Sequence, residues 1–229
     1  MKVVARVLVG SQNYHLDGPD SDYDYKLLML PEFKDFYSYH KVDKTDLPKQ
    51  YDPEHYSVMS LLTFDANLRK GNVNALEMLF SHEFKCYGDF PLRTYLDVAY
   101  RAYYDGYLAS VWTEYLRTVE GMVKNTFDRY GLTRKSASRA EFLLDFARYV
   151  ASKDYVVSVN TWTTSDLWTF AWRMRYDTNL VLPDKDYFYA KFEDLKATTL
   201  QENRSMTLNY EKSMADTMKE LVFRSLEVR

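Results

Sequence analysis

The sequence has little cysteine, glycine, proline and histidine. Its 229 residues include one cysteine, seven glycines, six prolines and four histidines. Because Cys86 is the only cysteine, an intramolecular disulfide bond is impossible, and a cytoplasmic location is expected. No run of 18 or more apolar residues occurs, so no membrane span is expected. The first residues also lack the features of a signal peptide, and no internal repeat or low-complexity tract is present.

The balance of charge narrows the classes of function. A formal net charge of −3 argues against a protein that coats nucleic acid through bulk electrostatic attraction. Residues 1–90 hold 10 Lys and Arg against 14 Asp and Glu, whereas the remainder is nearly balanced. An acidic first part suits a cation site, and basic groups for a phosphorylated ligand would have to come from elsewhere in the chain. The 21 tyrosines and 13 phenylalanines are expected to serve packing before base stacking.

Two carboxylates are predicted to share one face of a β-strand. The strand is expected over residues 22–30, and side chains two residues apart on a strand point the same way, so Asp22, Asp24 and Lys26 project together. Neighbouring carboxylates repel each other unless a cation offsets their charge, and hard oxygen ligands favour Mg²⁺ or Mn²⁺. The alternative is that both are exposed acids that hydrogen-bond to the turn before the strand.

The turn Gly10-Ser11 adds a feature typical of phosphate sites. The preceding residues, Lys2–Val9, predict a buried strand because they are rich in valine and leucine. A glycine lets a phosphate approach the backbone, and a serine hydroxyl with nearby amides can hold phosphate oxygens. Together with the two carboxylates, this turn favours a cation site that also holds phosphate.

These features resemble a known signature. Gly10-Ser11, a spacer, Ser21-Asp22-Tyr23-Asp24 and an apolar strand are similar to the motif of the DNA polymerase β superfamily of nucleotidyltransferases. Within it, the chain most resembles uncharacterised polymerase-β-like nucleotidyltransferases of bacteria and phages, some found alongside RNA ligases. Those proteins share a Gly-Asn-x-Asn-x-x-Glu-x-Leu segment, which GNVNALEMLF over residues 71–80 resembles.

The resemblance implies roles for residues in the first part of the chain. Asp22 and Asp24 would hold metal ions, and Gly10 and Ser11 would hold the β and γ phosphates of a nucleoside triphosphate. The superfamily also has a third carboxylate, on a neighbouring strand, that binds the metal activating the attacking hydroxyl. Two residues compete for that role, Glu54 and Glu77; an exposed helical position is the alternative interpretation of Glu77.

A second set of charges lies in a predicted helix near residue 134. Lys135 and Arg139 are four residues apart and share a helical face, with Arg134 near the helix start. They would close over the triphosphate as a cationic clamp, or form a solvated face. In the family that the chain resembles, a histidine and an arginine stand where this sequence has Arg139 and Phe142.

The predicted fold class is α+β, with two domains. A nucleotidyltransferase-like catalytic domain with a small mixed sheet is expected over 1–90, followed by a helical domain over 91–229, with the seam between 87 and 91. Residues 32–53 are expected to be mostly loop. Six helical regions are predicted by apolar periodicity and by capping residues: about 57–70, a short one capped by Asn72 or Asn74, 92–127, 133–150, 165–176, and 185 to the last residue. Gly106 is expected to bend or split the helix over 92–127, and Gly131 to act as its stop.

The expected activity is metal-dependent transfer of a nucleoside monophosphate from a triphosphate to a hydroxyl of RNA, protein or a small molecule, with release of pyrophosphate. Mg²⁺ or Mn²⁺ would be the cofactor, and a nucleoside triphosphate such as ATP the substrate. A non-catalytic triphosphate- or RNA-binding module is the main alternative. A metal-dependent hydrolase ranks last, because the sequence has no histidine-rich ligand set.

Overall fold

The computed structural model describes residues 2–19, 21–31, 42–88, 92–153 and 166–227. Across these residues the chain is α+β, with one mixed four-stranded sheet and eight α-helices. The predicted fold class is therefore confirmed at this level. No helix in the described ranges has both the length and the apolar composition needed to cross a membrane.

The sheet has the strand order β3-β2-β1-β4. Strand β1 pairs antiparallel with both β2 and β4, and β2 pairs in parallel with β3. Val4, Val7 and Leu8 of β1 are buried in the core, as their β-favouring character predicts. The strands are β1 Lys2–Val9, β2 Asp24–Leu30, β3 Tyr56–Ser60 and β4 Phe84–Cys86.

The second strand is shorter than predicted. It begins at Asp24 instead of Asp22, because the last pair of the β1–β2 ladder is Val9 with Asp24 and the first strand turns away at Gly10. Asp22 therefore lies in the loop immediately before the strand. Burial along β2 does not alternate as predicted: its last four residues, Leu27 to Leu30, are all buried.

The eight helices form most of the remaining structure. Their bounds are α1 Leu61–Leu68, α2 Val73–Leu79, α3 Leu92–Tyr104, α4 Trp112–Tyr130, α5 Arg134–Lys153, α6 Asp166–Tyr176, α7 Lys185–Lys196 and α8 Arg204–Glu227. Asn72 caps α2 by accepting from the backbone N–H groups of Asn74 and Ala75, as predicted. The predicted stop at Gly131 is also confirmed, since α4 ends there with a positive φ.

Two predicted helix bounds were wrong. The helix expected from residue 57 starts at Leu61, because residues 56–60 pair with β2 and Ser60 caps the helix by accepting from the N–H of Thr63 at 2.9 Å. The last predicted helix is two helices, since Asn203 starts α8 by accepting from the N–H of Met206. The split expected at Gly106 is confirmed: its φ of 100° follows the end of α3, and a 3₁₀ turn then leads into α4.

A continuous hydrophobic core joins the sheet to the helices. Buried residues of β1 and β2 belong to the same cluster as buried residues of α1 to α8. The predicted domain boundary near residues 87–91 stays a prediction, with residues 89–91 outside the described ranges. Most of the predicted loop over 32–53 also lies outside them; its described part, from residue 42, contains a 3₁₀ turn at Lys44–Asp46 that Asp43 caps.

Candidate functional site

A cavity of about 510 Å³ lies where the exit of β1 meets the end of α4, the start of α5 and the end of α6. This volume is within the range of about 300–1,000 Å³ that is typical of ligand sites. Among the described residues, its lining is formed by Gly10, Ser11, Tyr14, Leu16, Asp24, Thr126, Tyr130, Thr133, Lys135, Ser136, Arg139 and Arg175. Five of the eight sequence-predicted site residues are in this set: the Gly-Ser turn, one aspartate, the lysine and the arginine.

Gly10 brings the first strand into direct contact with the carboxylate of the second. Its φ is +76°, a conformation that L side chains rarely adopt. A Cβ at this position would lie 2.8 Å from Oδ2 of Asp24, well inside van der Waals contact. The glycine is therefore required both by backbone conformation and by the close approach of Asp24.

After Gly10 the chain forms a 3₁₀ turn over Gln12–Tyr14. Ser11, just before this turn, lines the cavity, and its side chain does not cap the turn. The turn ends at His15, which has a left-handed φ of 54°. Helix α6 holds this loop in place, because the indole of Trp168 donates to the carbonyl of Tyr14 at 3.3 Å and the hydroxyl of Tyr176 donates to the carbonyl of Leu16 at 2.9 Å.

Asp22 and Asp24 are both exposed and close enough to influence each other. Partial desolvation raises the pKa of Asp24, and the negative charge of Asp22 raises it further. The charges of Lys135 and His55 act in the opposite direction. The start of β2 and the loop before it thus carry two mutually repelling carboxylates, with a lysine of α5 and a histidine just before β3 within electrostatic range.

The residues just before β3 place two further carboxylates and a histidine beside the start of β2. The carbonyl of His55 accepts from the N–H of Tyr25 at 2.8 Å, so His55 lies next to Asp24 across the parallel pair. Ligand atoms of Asp52, Glu54 and His55 all lie within 4.8 Å of one another. This group could hold a metal ion, and it contains Glu54, one of the two predicted candidates for the third carboxylate.

The opposite wall of the cavity is cationic. Lys135, Arg139 and Arg175 line it, and Lys135 and Ser136 belong to the first turn of α5. The backbone N–H groups at a helix start carry partial positive charge, which favours an anion there. Lys135 is exposed, whereas Arg139 keeps only 25% of its side chain accessible.

Arg134 has a different role from the one considered for it. Its guanidinium donates to four backbone carbonyls at and just beyond the end of α6, those of Met174, Asp177, Thr178 and Leu180, at 2.7–3.3 Å. These bonds tie the start of α5 to the end of α6. Arg134 therefore supports the cationic wall without lining the cavity among the described residues.

Glu77 is buried behind the cationic wall. Both of its carboxylate oxygens accept from Nη2 of Arg139, at 3.0 and 3.3 Å, and one also accepts from the hydroxyl of Tyr14. Although burial opposes the charged form, Glu77 and Tyr14 raise the pKa of Arg139. The ring of Tyr14 lies 4.5 Å from the guanidinium carbon. Glu77 thus holds Arg139 in position, and its carboxylate is neutralised from within the protein.

Comparison with known proteins adds no assignment. No family model matches the chain, and no significant match was found among curated proteins or solved structures. The function of the protein is therefore inferred from the geometry of the cavity and from the sequence resemblance.

Sequence reasoning missed several residues of the site. Arg175, Thr126 and Tyr130 line the cavity, and His55 lies beside Asp24. Arg175 lies in the last turn of α6 together with Arg173, a pattern that is equally typical of a helix end stabilised by its dipole. His55 follows Glu54 directly, so a search for metal ligands next to that candidate would have found it.

Proposed function

We propose that this protein is a metal-dependent nucleotidyltransferase that moves a nucleoside monophosphate from a triphosphate to a hydroxyl acceptor and releases pyrophosphate. The observation that carries the proposal is the single cavity in which the Gly10-Ser11 turn and Asp24 oppose Lys135, Arg139 and Arg175. An acidic edge opposite a cationic wall is the arrangement that a metal-bound triphosphate requires.

The residues present fit a hard divalent cation. Asp22 and Asp24 offer carboxylate oxygens, and partial desolvation followed by repulsion from Asp22 raises the pKa of Asp24. A bound Mg²⁺ or Mn²⁺ would relieve that repulsion and supply Lewis-acid stabilisation of the charge on the transferred phosphoryl group.

The cationic wall would bind the phosphates. Lys135, Arg139 and Arg175 offset the negative charge of the triphosphate, and the N–H groups at the start of α5 add a further anion site. Gly10 has no side chain, so its backbone can come close to a phosphate in the cavity, except on the side that the Asp24 carboxylate fills. Ser11 would contribute its hydroxyl.

Glu54 is the better candidate for the third carboxylate. It is exposed in the Asp52–His55 segment, next to the strand that carries Asp24. Glu77 is buried and already paired with Arg139, which leaves it poorly suited to bind a metal. In this proposal Glu54 orients or deprotonates the acceptor hydroxyl, and Glu77 positions the arginine that contacts phosphate.

The test is transfer of label from an α-labelled nucleoside triphosphate, with Mg²⁺ or Mn²⁺, to RNA, protein or small-molecule acceptors. Asp22→Asn and Asp24→Asn should each lower transfer by about 100-fold or more, as expected for loss of a group that acts on the transition state. Asp97→Asn, a change at an exposed aspartate of α3, should leave the activity unaltered.

Two results would overturn the proposal in different ways. Triphosphate binding that is independent of metal and of both aspartates would indicate a non-catalytic binding module. Absence of triphosphate binding under any metal condition would reject the cavity as a nucleotide site altogether.

A further inference from the structure

Tyr130 presents an exposed aromatic ring at the wall of the cavity. Of its surface, 61% is accessible, and it occupies the last position of α4. Two aromatic residues line the cavity among those described, Tyr14 and Tyr130. Tyr14 is 2% exposed and packs against both the Arg139 guanidinium and the Phe142 ring, whose centroid is 4.3 Å from its own. Tyr130 is therefore the described aromatic ring that remains accessible to a ligand in this cavity.

The surroundings of Tyr130 are polar and open. Thr126 precedes it by one helical turn on the same face of α4, and Thr133 follows just beyond Gly131; both threonines line the cavity. Thr126 and Tyr130 also border an adjoining surface hollow of about 610 Å³, together with Met122, Asn125, Asp128 and Arg129. Tyr130 thus borders both the cavity and a second hollow whose lining is mostly polar and charged.

The charged groups and the aromatic ring occupy different elements of the lining. Lys135, Arg139 and Arg175 belong to α5 and α6, and Asp24 to β2, whereas Tyr130 ends α4. Charged groups bind the phosphates of a nucleotide, and an exposed ring can stack on the flat face of its base. Because stacking uses a face that every base has, it distinguishes the four bases weakly.

We propose that Tyr130 is the stacking platform for the nucleobase of the bound triphosphate, with the hydroxyls of Thr126 and Thr133 beside the base edge. The inference rests on the proposed function, since it assigns the base to the same cavity that binds the triphosphate. It also specifies the substrate class: a nucleoside triphosphate accepted with little base preference, in place of a ligand recognised through its phosphates alone.

The experiment compares two ligands in the presence of a constant concentration of Mn²⁺: ATP, and inorganic tripolyphosphate, which lacks base and sugar. Dissociation constants are measured by calorimetry for the unmodified protein and for Tyr130→Ala, Tyr130→Phe and Phe223→Ala. Phe223 is the matched control, because it is 64% exposed on α8 and does not line the cavity.

The unmodified protein should bind ATP more tightly than tripolyphosphate, and Tyr130→Ala should weaken ATP binding about tenfold, as expected for loss of one stacked base. Tripolyphosphate binding should stay the same in Tyr130→Ala. Tyr130→Phe retains the ring and should bind ATP within about twofold of the unmodified protein, as should Phe223→Ala. GTP, CTP and UTP should follow the same pattern as ATP.

Failure of this inference differs from failure of the proposed function. If ATP binds and Tyr130→Ala binds it equally well, the base does not stack on Tyr130, and the phosphate site is unaffected by that result. If Tyr130→Ala weakens both ligands equally, the ring supports the phosphate site instead of the base. If neither ligand binds the unmodified protein, the proposed function and the inference both fail.

Discussion

The sequence marks both Asp24 and Glu77 as candidates for catalysis, Asp24 as a metal ligand and Glu77 as one of two rivals for the third carboxylate, and the fold puts them in opposite environments. Asp24 is exposed at the end of β2, where partial desolvation and then the charge of Asp22 raise its pKa. Glu77 is 5% exposed in α2 and accepts from Arg139 and Tyr14. The first carboxylate is destabilised in its charged form by the protein, and the second is stabilised by an internal cation.

In the proposed function, this difference separates a carboxylate that binds a ligand, Asp24, from one that stabilises the fold, Glu77. A carboxylate that is repelled by its neighbour is stabilised in its charged form by an external cation. A buried carboxylate that already accepts from an arginine and a tyrosine is not stabilised further by such a cation. Its removal leaves the buried charge of the arginine uncompensated. Four experiments sharpen or break the comparison, from the largest expected effect to the smallest.

Glu77→Gln should destabilise the protein by about 3 kcal/mol, because it leaves the guanidinium of Arg139 without its counter-charge behind the cavity wall. The free energy of unfolding is measured by urea denaturation. Glu83→Gln is the control: Glu83 pairs with Arg6 in a more exposed setting, so its loss should cost about 1 kcal/mol or less. Equal costs for the two changes would mean that Glu77 is not a structural group.

Gly10→Ala should cost about 2 kcal/mol and displace the Asp24 carboxylate, because the new methyl group would lie 2.8 Å from Oδ2 in a left-handed conformation. Gly88→Ala isolates the backbone contribution, since Gly88 has a similar φ of +73° and no atom within 4 Å of a Cβ. It should cost about 1 kcal/mol. Both are compared by denaturation, and metal-dependent ATP binding should be lost in Gly10→Ala alone.

Glu141 adds to the comparison a buried carboxylate that shares one cation, Lys191, with a second carboxylate, Asp145. Lys191 contacts both Glu141 and Asp145, at 2.7 and 2.6 Å, and Oε2 of Glu141 is buried without a hydrogen-bond partner among the described residues. Burial and the nearby Asp145 raise the pKa of Glu141 to about 7, from an ordinary value of 4.5.

Between pH 4.5 and about 7, Glu141 therefore stays protonated in the folded chain, whereas it has lost its proton in the unfolded chain. The associated stability is fully present below pH 4.5 and declines as the pH rises to about 7. Glu141→Gln should flatten that decline in urea denaturation measured across this range, while Glu120→Gln, on the surface of α4, should retain it. A decline unchanged by Glu141→Gln would assign it to other groups.

Asp24→Asn should have the smallest effect on stability. Without metal or nucleotide, the change removes a repulsion with Asp22, so the free energy of unfolding at pH 7 should stay within about 0.5 kcal/mol of the unmodified value or rise slightly. A loss above about 1.5 kcal/mol would show that Asp24 serves the fold as Glu77 does, and the contrast between the two carboxylates would disappear.

Local signals in the sequence predicted the parts of the site that are close in the chain. The valine-rich first strand, the glycine-serine turn and the aspartate of the next strand adjoin through one antiparallel pair, Val9 with Asp24. Asn72 and Gly131 were recognised as helix ends because capping depends on neighbouring backbone groups. Strand β3 was harder to predict, because its pairing with β2 decides between strand and helix for residues 56–60.

By itself the sequence determined the α+β class, the acidic edge and the turn that adjoins it, since each depends on residues within a few positions of one another or on a single hairpin. Only the tertiary structure decided which charges meet across the cavity. It brings Arg175 of α6 and Tyr130 of α4 to the turn at Gly10, and it withdraws Glu77 into a pair with Arg139. The physical reason is that an ion pair or a cavity wall between distant residues is set by how helices pack, and no local propensity encodes that packing.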